Sequence, residues 1–157
     1  MFGPYCSKMG SAQMLVAIKE RKTPCYTNGG RNFVYVKDVA VAVVNALTSG
    51  TPGTCYIAGN ENAAYREIFG RMAKIAGVNP PKICVPGMLA ILYGSISSFV
   101  GKLFGFEPLI TYRTAQLSTI YNYYSSDRAK KELQLPQTPV DQAIREAYDW
   151  LNKTNVN

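Results

Sequence analysis

Whatever chemistry this chain of 157 residues performs, it performs without histidine. A Ser-His-Asp triad, imidazole general acid–base catalysis and a histidine-rich metal site each need a side chain the sequence does not contain. Cys6, Cys25, Cys55 and Cys84 have no close spacing, so neither a zinc ribbon nor a Cys-x-x-Cys redox pair is expected, and no metal site. They read as buried, reduced thiols in a cytoplasmic protein. The formal charge of +7, from 17 Lys and Arg against 10 Asp and Glu, raises the question of an anionic partner. The cations are scattered, however. The densest groups, Lys19-Glu20-Arg21-Lys22 and Arg128-Ala129-Lys130-Lys131, fall near helix ends, where they favour the dipole, and no nucleic-acid module accompanies them.

The length suits one domain, 1–157, and 47% hydrophobic with 17% charged residues describes a globular chain. Apolar Met14, Leu15, Val16 and Ile18 predict a short helix over Ser11–Lys19, and Thr27-Asn28-Gly29-Gly30 a turn. Phe33–Val36 reads as a strand. After it, Val39, Ala42, Val43, Ala46 and Leu47 keep one helix face, with Asp38 suited to the N-terminus and Gly50 to the stop. Thr54–Ala58 is a second strand candidate, and Tyr65–Ala76 a helix closed by Gly77 whose N-cap position, Ala64, has no oxygen to offer.

Pro86 fits the first turn of a longer helix reaching Phe104. Its small residues Gly87, Ala90, Gly94, Ser98 and Gly101 form one stripe, and Leu89, Leu92, Ile96, Phe99 and Leu103 another. The uncharged run from Ile83 to Gly101 is long enough to raise a membrane reading. Interruption by Pro86, Gly87, Gly94 and four serines or glycines, with Lys102 after it, favours a soluble helix. At the end, Thr138 as N-cap, Pro139 at N1 and Asp141 at N3 start a helix whose apolar positions run from Val140 to Leu151.

Several stretches, in order, resemble the C-terminal half of extended short-chain dehydrogenase/reductases, the NAD-dependent epimerase/dehydratase superfamily. The nearest branch is that of dihydroflavonol-reductase-like and 3β-hydroxysteroid-dehydrogenase-like proteins. Met1-Phe2-Gly3-Pro4 is similar to the strand end and Gly-Pro turn that pass the nicotinamide. Arg31-Asn32-Phe33-Val34-Tyr35-Val36-Lys37-Asp38 resembles the strand and helix that open the substrate half. Gly53–Gly59 followed by Tyr65-Arg66-Glu67-Ile68 resembles the next pair, and Asp127–Leu133 with Pro136 the family's late Lys-Ala-x-x-Glu-Leu segment. The resemblance implies an α/β fold, the C-terminal part of a Rossmann-type architecture with few short strands and a mainly helical substrate domain. It implies NAD or NADP for the full-length family, a small-molecule substrate, Phe2, Gly3 and Pro4 beside the cofactor, and Arg31 on a substrate phosphate or other polar group, a task its guanidinium fork suits.

The departures concern catalysis. The family's cofactor turn has Gly-x-x-Gly-x-x-Gly spacing, which presents backbone N–H groups to the pyrophosphate, and the thirteen glycines here never take it. Its Tyr-x-x-x-Lys pair, in which the ammonium lowers the phenol pKa for proton exchange, is also missing. Tyr124 followed by Arg128 comes nearest, so no catalytic residue is assigned. Where sugar-nucleotide epimerases place a second arginine, the chain reads Tyr121-Asn122-Tyr123-Tyr124, which shifts the implied substrate toward an apolar or aromatic alcohol or ketone, with Tyr5, Met9 and Tyr26 as candidate pocket walls. The chain is expected to be inactive by itself. It is expected to self-associate or pair with a cofactor-binding half through apolar surface at Phe33–Val36 and Val39–Leu47. The alternatives are a non-enzymatic interaction module and a membrane-surface helical protein. Titration calorimetry should give NAD(H) or NADP(H) a dissociation constant no tighter than about millimolar; a micromolar value would contradict the reading.

Overall fold

The computed structural model describes residues 1–5, 10–105 and 110–154. In chain order they form α1 (Gly10–Lys19), β1 (Cys25–Thr27), β2 (Gly30–Phe33), α2 (Val36–Ser49), β3 (Glu61–Ala64) and α3 (Tyr65–Ala76). There follow β4 (Ile83–Val85), α4 (Gly87–Phe104), α5 (Tyr112–Ser118), β5 (Tyr121–Asn122), α6 (Asp127–Glu132) and α7 (Val140–Thr154). Two small sheets result. β1 pairs with β4 in parallel, while β2 lies between antiparallel β3 and parallel β5. The architecture is the α/β, helix-rich one expected, with a few short strands.

The main core forms where α1, α3 and α7 cover β2. Leu15, Ile68, Met72, Ala73, Ala143, Ile144 and Ala147 meet Phe2 and Phe33 there. Both helices α3 and α7 reach this core by the same device, a strong apolar stripe at 3.6 spacing with polar residues outside. Arg71 locks them at the surface, pairing with Glu61 at 2.6 Å, with Glu67, and with Asp141 at 3.6 Å. A smaller cluster, Ala42, Ala129, Leu133 and Leu135, fastens α6 to the inner face of α2.

Four sequence expectations need correction. The strand expected at Phe33–Val36 lies three residues earlier, at Gly30–Phe33, and α2 begins already at Val36. Thr54–Ala58 carries no strand; the partner of β2 is Glu61–Ala64, because backbone pairing with β2 outweighs the β-propensity of the earlier segment. Phe33, Val34 and Tyr35 are buried within the chain, so of the apolar surface expected to be open only the outer side of α2, with Val43, Val44 and Leu47, is exposed. Cys55 and Cys84 are exposed and Cys25 half-buried, all free thiols, since Cys84 lies on the edge strand β4 and Cys55 in irregular chain. The helix over Tyr65–Ala76 with Gly77 in the left-handed conformation, the uncapped Ala64, and the stop at Gly50 are as the sequence predicts.

Asp38 and Thr138 explain why two capping expectations fail together. Asp38 is 4% exposed and belongs to the first turn of α2, but its carboxylate does not cap that turn. Oδ2 accepts from the Thr138 backbone N–H at 2.8 Å and Oδ1 from the Thr138 hydroxyl at 2.8 Å, across 100 residues of sequence. Thr138 is thereby committed to Asp38, and in the first turn of α7 the Gln142 and Ala143 amides donate to the Pro139 carbonyl. A buried carboxylate needs such donors, and removing it leaves an N–H without a partner. Asp38→Ala should cost about 2 kcal/mol or more, about 4–8 °C in melting temperature for a chain of this size. Thr138→Val, which deletes only the hydroxyl, should cost less. An unchanged melting curve for Asp38→Ala would mean the tie does not hold the fold.

Candidate functional site

Side chains alternate across a strand, so Arg31 and Phe33 share one face of β2, and Gly30 and Asn32 the other. The Arg31 face is the one that meets the core. At its inner end Phe33 stacks on Phe2, ring centroids 5.4 Å apart and 16° from parallel. Phe2 is fixed there by a parallel bridge to Tyr35: its N–H donates to the Val34 carbonyl at 2.9 Å, and its own carbonyl accepts from the Val36 N–H at 2.8 Å. Gly3 follows with φ +148°, and a Cβ at this position would come within 2.2 Å of Val36 Cγ1, so a side chain is incompatible with this turn. Tyr26 on β1 packs against the same core.

At the outer end of that face Arg31 is exposed, opposite Ala63 on β3 and Asn122 on β5. Its guanidinium has no ion-pair partner among the described residues, unlike Arg71 and Arg128. It lies near enough to Tyr65 to draw that phenol's pKa down, against the larger rise that burial causes. The Asn122 amide is occupied by the Leu117 carbonyl at 3.2 Å. An exposed cation with unused donors can bind an oxygen-rich group at the surface, above rings that are themselves buried.

The other expected residues divide. Phe2 and Gly3 lie against Phe33 and Val36 at the inner end of this face and Arg31 at its outer end, while Tyr26, in the other sheet, packs against the same core. Tyr5 does not: it is 82% exposed, and its ring leans toward Trp150 of α7 at 6.3 Å. Pro4 is half-buried in the turn between them, and Met9 lies outside the described residues. Residues that sequence reasoning passed over occupy the opposite face. The Tyr121 and Tyr123 rings meet edge-on at 5.3 Å, the Tyr121 hydroxyl donates to Asn28 Oδ1 at 3.2 Å, and Asn32 donates to Asn62 at 2.7 Å. Tyr123 lies so close over Gly30 that a Cβ would meet its hydroxyl at 2.6 Å. The Tyr-rich run at 121–124 was visible as a composition signal, but which face it covers depends on pairing with β2.

Beside the Phe2 turn stands one polar triad. Tyr35, 4% exposed, donates to Glu146 of α7, and Lys37 pairs with the same Oε2 at 2.9 Å. The bond from Tyr35, then those from Lys37 and Gln142, hold the Glu146 carboxyl down to about 2. Lys37 is raised correspondingly, by Tyr35 first and then Glu146, while burial lifts the Tyr35 phenol.

The architecture is that of the C-terminal part of a Rossmann-type α/β fold. Comparison with known proteins agrees. A Synechocystis sp. protein described as "Putative dihydroflavonol 4-reductase" is 30% identical over 144 residues, 89% of this chain and 42% of the relative. The crystal structure of the protein gox2253 superposes with a TM-score of 0.76 at 32% identity, over 98% of this chain and 47% of the other. A nucleoside-diphosphate-sugar epimerase from Pseudomonas aeruginosa superposes at 0.73 with 19% identity, over 98% and 45%. A Bacillus cereus UDP-glucuronic acid 4-epimerase in complex with NAD does so at 0.62 with 17%, over 97% and 42%. No family model matches. The relatives and structural neighbours are members of the NAD-dependent epimerase/dehydratase family, and the chain spans less than half the length of those it matches.

The triad sets a pH dependence. A carboxyl held at about 2 from an ordinary 4.5 adds stability that is complete above pH 4.5 and disappears as pH falls through 2. Glu146→Gln should therefore flatten the loss of stability between those values in urea titrations at stepped pH. An equally steep loss in the variant would place the acid sensitivity elsewhere.

Proposed function

We propose that this chain supplies the substrate-binding side of an NAD(P)-dependent oxidoreductase, acting on an apolar or aromatic alcohol or ketone rather than a sugar nucleotide. The observation that carries the reading is Arg31. It is an unpaired guanidinium at the rim of the face whose inner end is the Phe2–Phe33 stack. Its register neighbour on β5 is Asn122, where a sugar-nucleotide enzyme would offer a second cation for a diphosphate. One arginine fits a single carbonyl, carboxylate or hydroxyl group. Tyr26 and Tyr65 would contact the apolar body, with Tyr5 and Met9 as further wall candidates.

Phe2, Gly3 and Pro4 form the margin nearest the cofactor in this reading. The bridge of Phe2 to Tyr35 holds that turn in place whether or not a nucleotide is bound. NAD or NADP, its pyrophosphate turn and the proton-transferring Tyr and Lys come from a nucleotide-binding half, which meets the exposed Val43, Val44 and Leu47 of α2. Hydride transfer is the cofactor's chemistry; this chain orients the substrate and excludes water from one side.

The test is reconstitution in trans. With the nucleotide-binding half of the Synechocystis relative added, NAD(P)H oxidation should appear with aromatic ketones and not with UDP-sugars. Arg31→Ala should raise KM by the equivalent of about 1–3 kcal/mol and leave the melting temperature within a few degrees. Turnover of UDP-sugars alone would overturn the substrate class, and a large stability loss with unchanged KM would return Arg31 to a purely structural role.

A further inference from the structure

α4 is two-sided in an unusual sense. It is 18 residues long with a mean hydropathy of 1.4, yet only 11% of it is buried. The small residues face inward. A Cβ on Gly94 would meet Ala115 Cβ at 2.7 Å and the Thr111 carbonyl oxygen at 2.9 Å, and one on Gly87 would meet Thr119 at 3.0 Å. The Ser98 hydroxyl accepts from the Tyr112 N–H at 2.9 Å. α4 and α5 are thus zipped along the glycine stripe, and the large apolar residues are turned away from the protein. Met88, Leu92, Ile96, Phe99, Leu103 and Phe104 are all more than half exposed. They fall on one side of the helix, at spacings of four, four, three, four and one. Such a patch exceeds what a soluble monomer ordinarily leaves open.

Charge selects among occupants. Between Lys82 and Ser126 the chain carries Lys82, Lys102 and Arg113 against one acid, Glu107, within a protein of net charge +7. Lys102 is in the last turn of α4. An apolar face with Lys102 in its last turn, in a segment of net positive charge, matches an anionic lipid surface, whose acyl region takes the side chains while headgroups meet the cations. A second protein surface would have to supply both an apolar groove and acids. A transmembrane span is disfavoured by α5: tied to α4 through Gly94 and Ser98, it would bring Arg113 and Gln116 into hydrocarbon.

We infer that the α4–α5 hairpin docks the protein in the plane of an anionic membrane, with Leu92, Ile96, Phe99 and Leu103 in the acyl boundary. This is independent of the substrate assignment, since the docking face is remote in sequence from Arg31 and none of its residues belongs to the proposed site.

The experiment is co-sedimentation of the 157-residue chain with phosphatidylcholine vesicles, with and without about 30% phosphatidylglycerol. Binding to the anionic vesicles is expected, weakened about tenfold by Phe99→Asp with Leu103→Asp and reduced by Lys102→Glu, at unchanged circular dichroism. As a second readout that does not depend on those variants, Phe99→Trp in a Trp150→Phe background should be quenched by bromine-labelled acyl chains. Three results would each overturn the inference: no sedimentation with either vesicle, no quenching of the new tryptophan, or a wild-type dimer in light scattering that the aspartate pair disperses, which would assign the face to a second copy of the chain.

Discussion

A buried carboxylate must be met by donors, and in this fold that requirement joins the two ends of the chain. Asp38 enters α2 with an interior address, and both donors it finds belong to Thr138. Meeting them fixes where α7 starts. Once Val140 is set, the helical period puts Ala143, Ile144, Ala147 and Leu151 over β2 and α3, and carries Glu146 to Tyr35 and Lys37. Asp141 is placed one residue after that start, within reach of Arg71. The surface ion pairs contribute little each. Their positions, however, follow from the buried tie.

The same constraint positions the face that carries Arg31. β2 is held on one side by α7 and α3 and on its edges by β3 and β5, so Arg31 stands at a defined rim although its own side chain is unbonded. One backbone bridge and one ring stack at Phe2 anchor the first residues to the core. Relatives of known structure are about twice as long, which accords with the open apolar outer side of α2. The outer side of α2 is β-branched and uncharged. That of α4 is longer, includes Phe99 and Phe104, and ends beside Lys102.

Sequence reasoning recovered the elements whose signals are local. α3 has its 3.6 stripe and a glycine terminator, and α4 its proline start; both lie where those signals put them. It failed where a residue had two possible employers. Asp38 and Thr138 are good caps by composition, yet tertiary burial claims both. Strand positions failed for a related reason: Thr54–Ala58 has the better intrinsic propensity, but Asn32 and Asn62 align across β2 and β3 through their amides, a preference no single-strand pattern encodes. At the candidate site, the ordered motifs that resemble a family singled out Arg31, and the structure puts it exposed at the outer end of β2. The division of Tyr121 and Arg31 onto opposite faces was not legible, because it depends on the pairing of Gly30 with Tyr121 and Arg31 with Asn122, far apart in the chain.

Hydrogen exchange followed by mass spectrometry would test the central claim, that this chain is one cooperative unit built to receive a nucleotide-binding half. Measured on the chain alone, the slowest amides should be those of β2, α3 and α7, exchanging together. With the nucleotide-binding half of a relative and its cofactor added, protection should increase at residues 1–4 and along α2, and stay unchanged on α4. Independent exchange of α7 and β2, together with no gain at α2, would contradict the account.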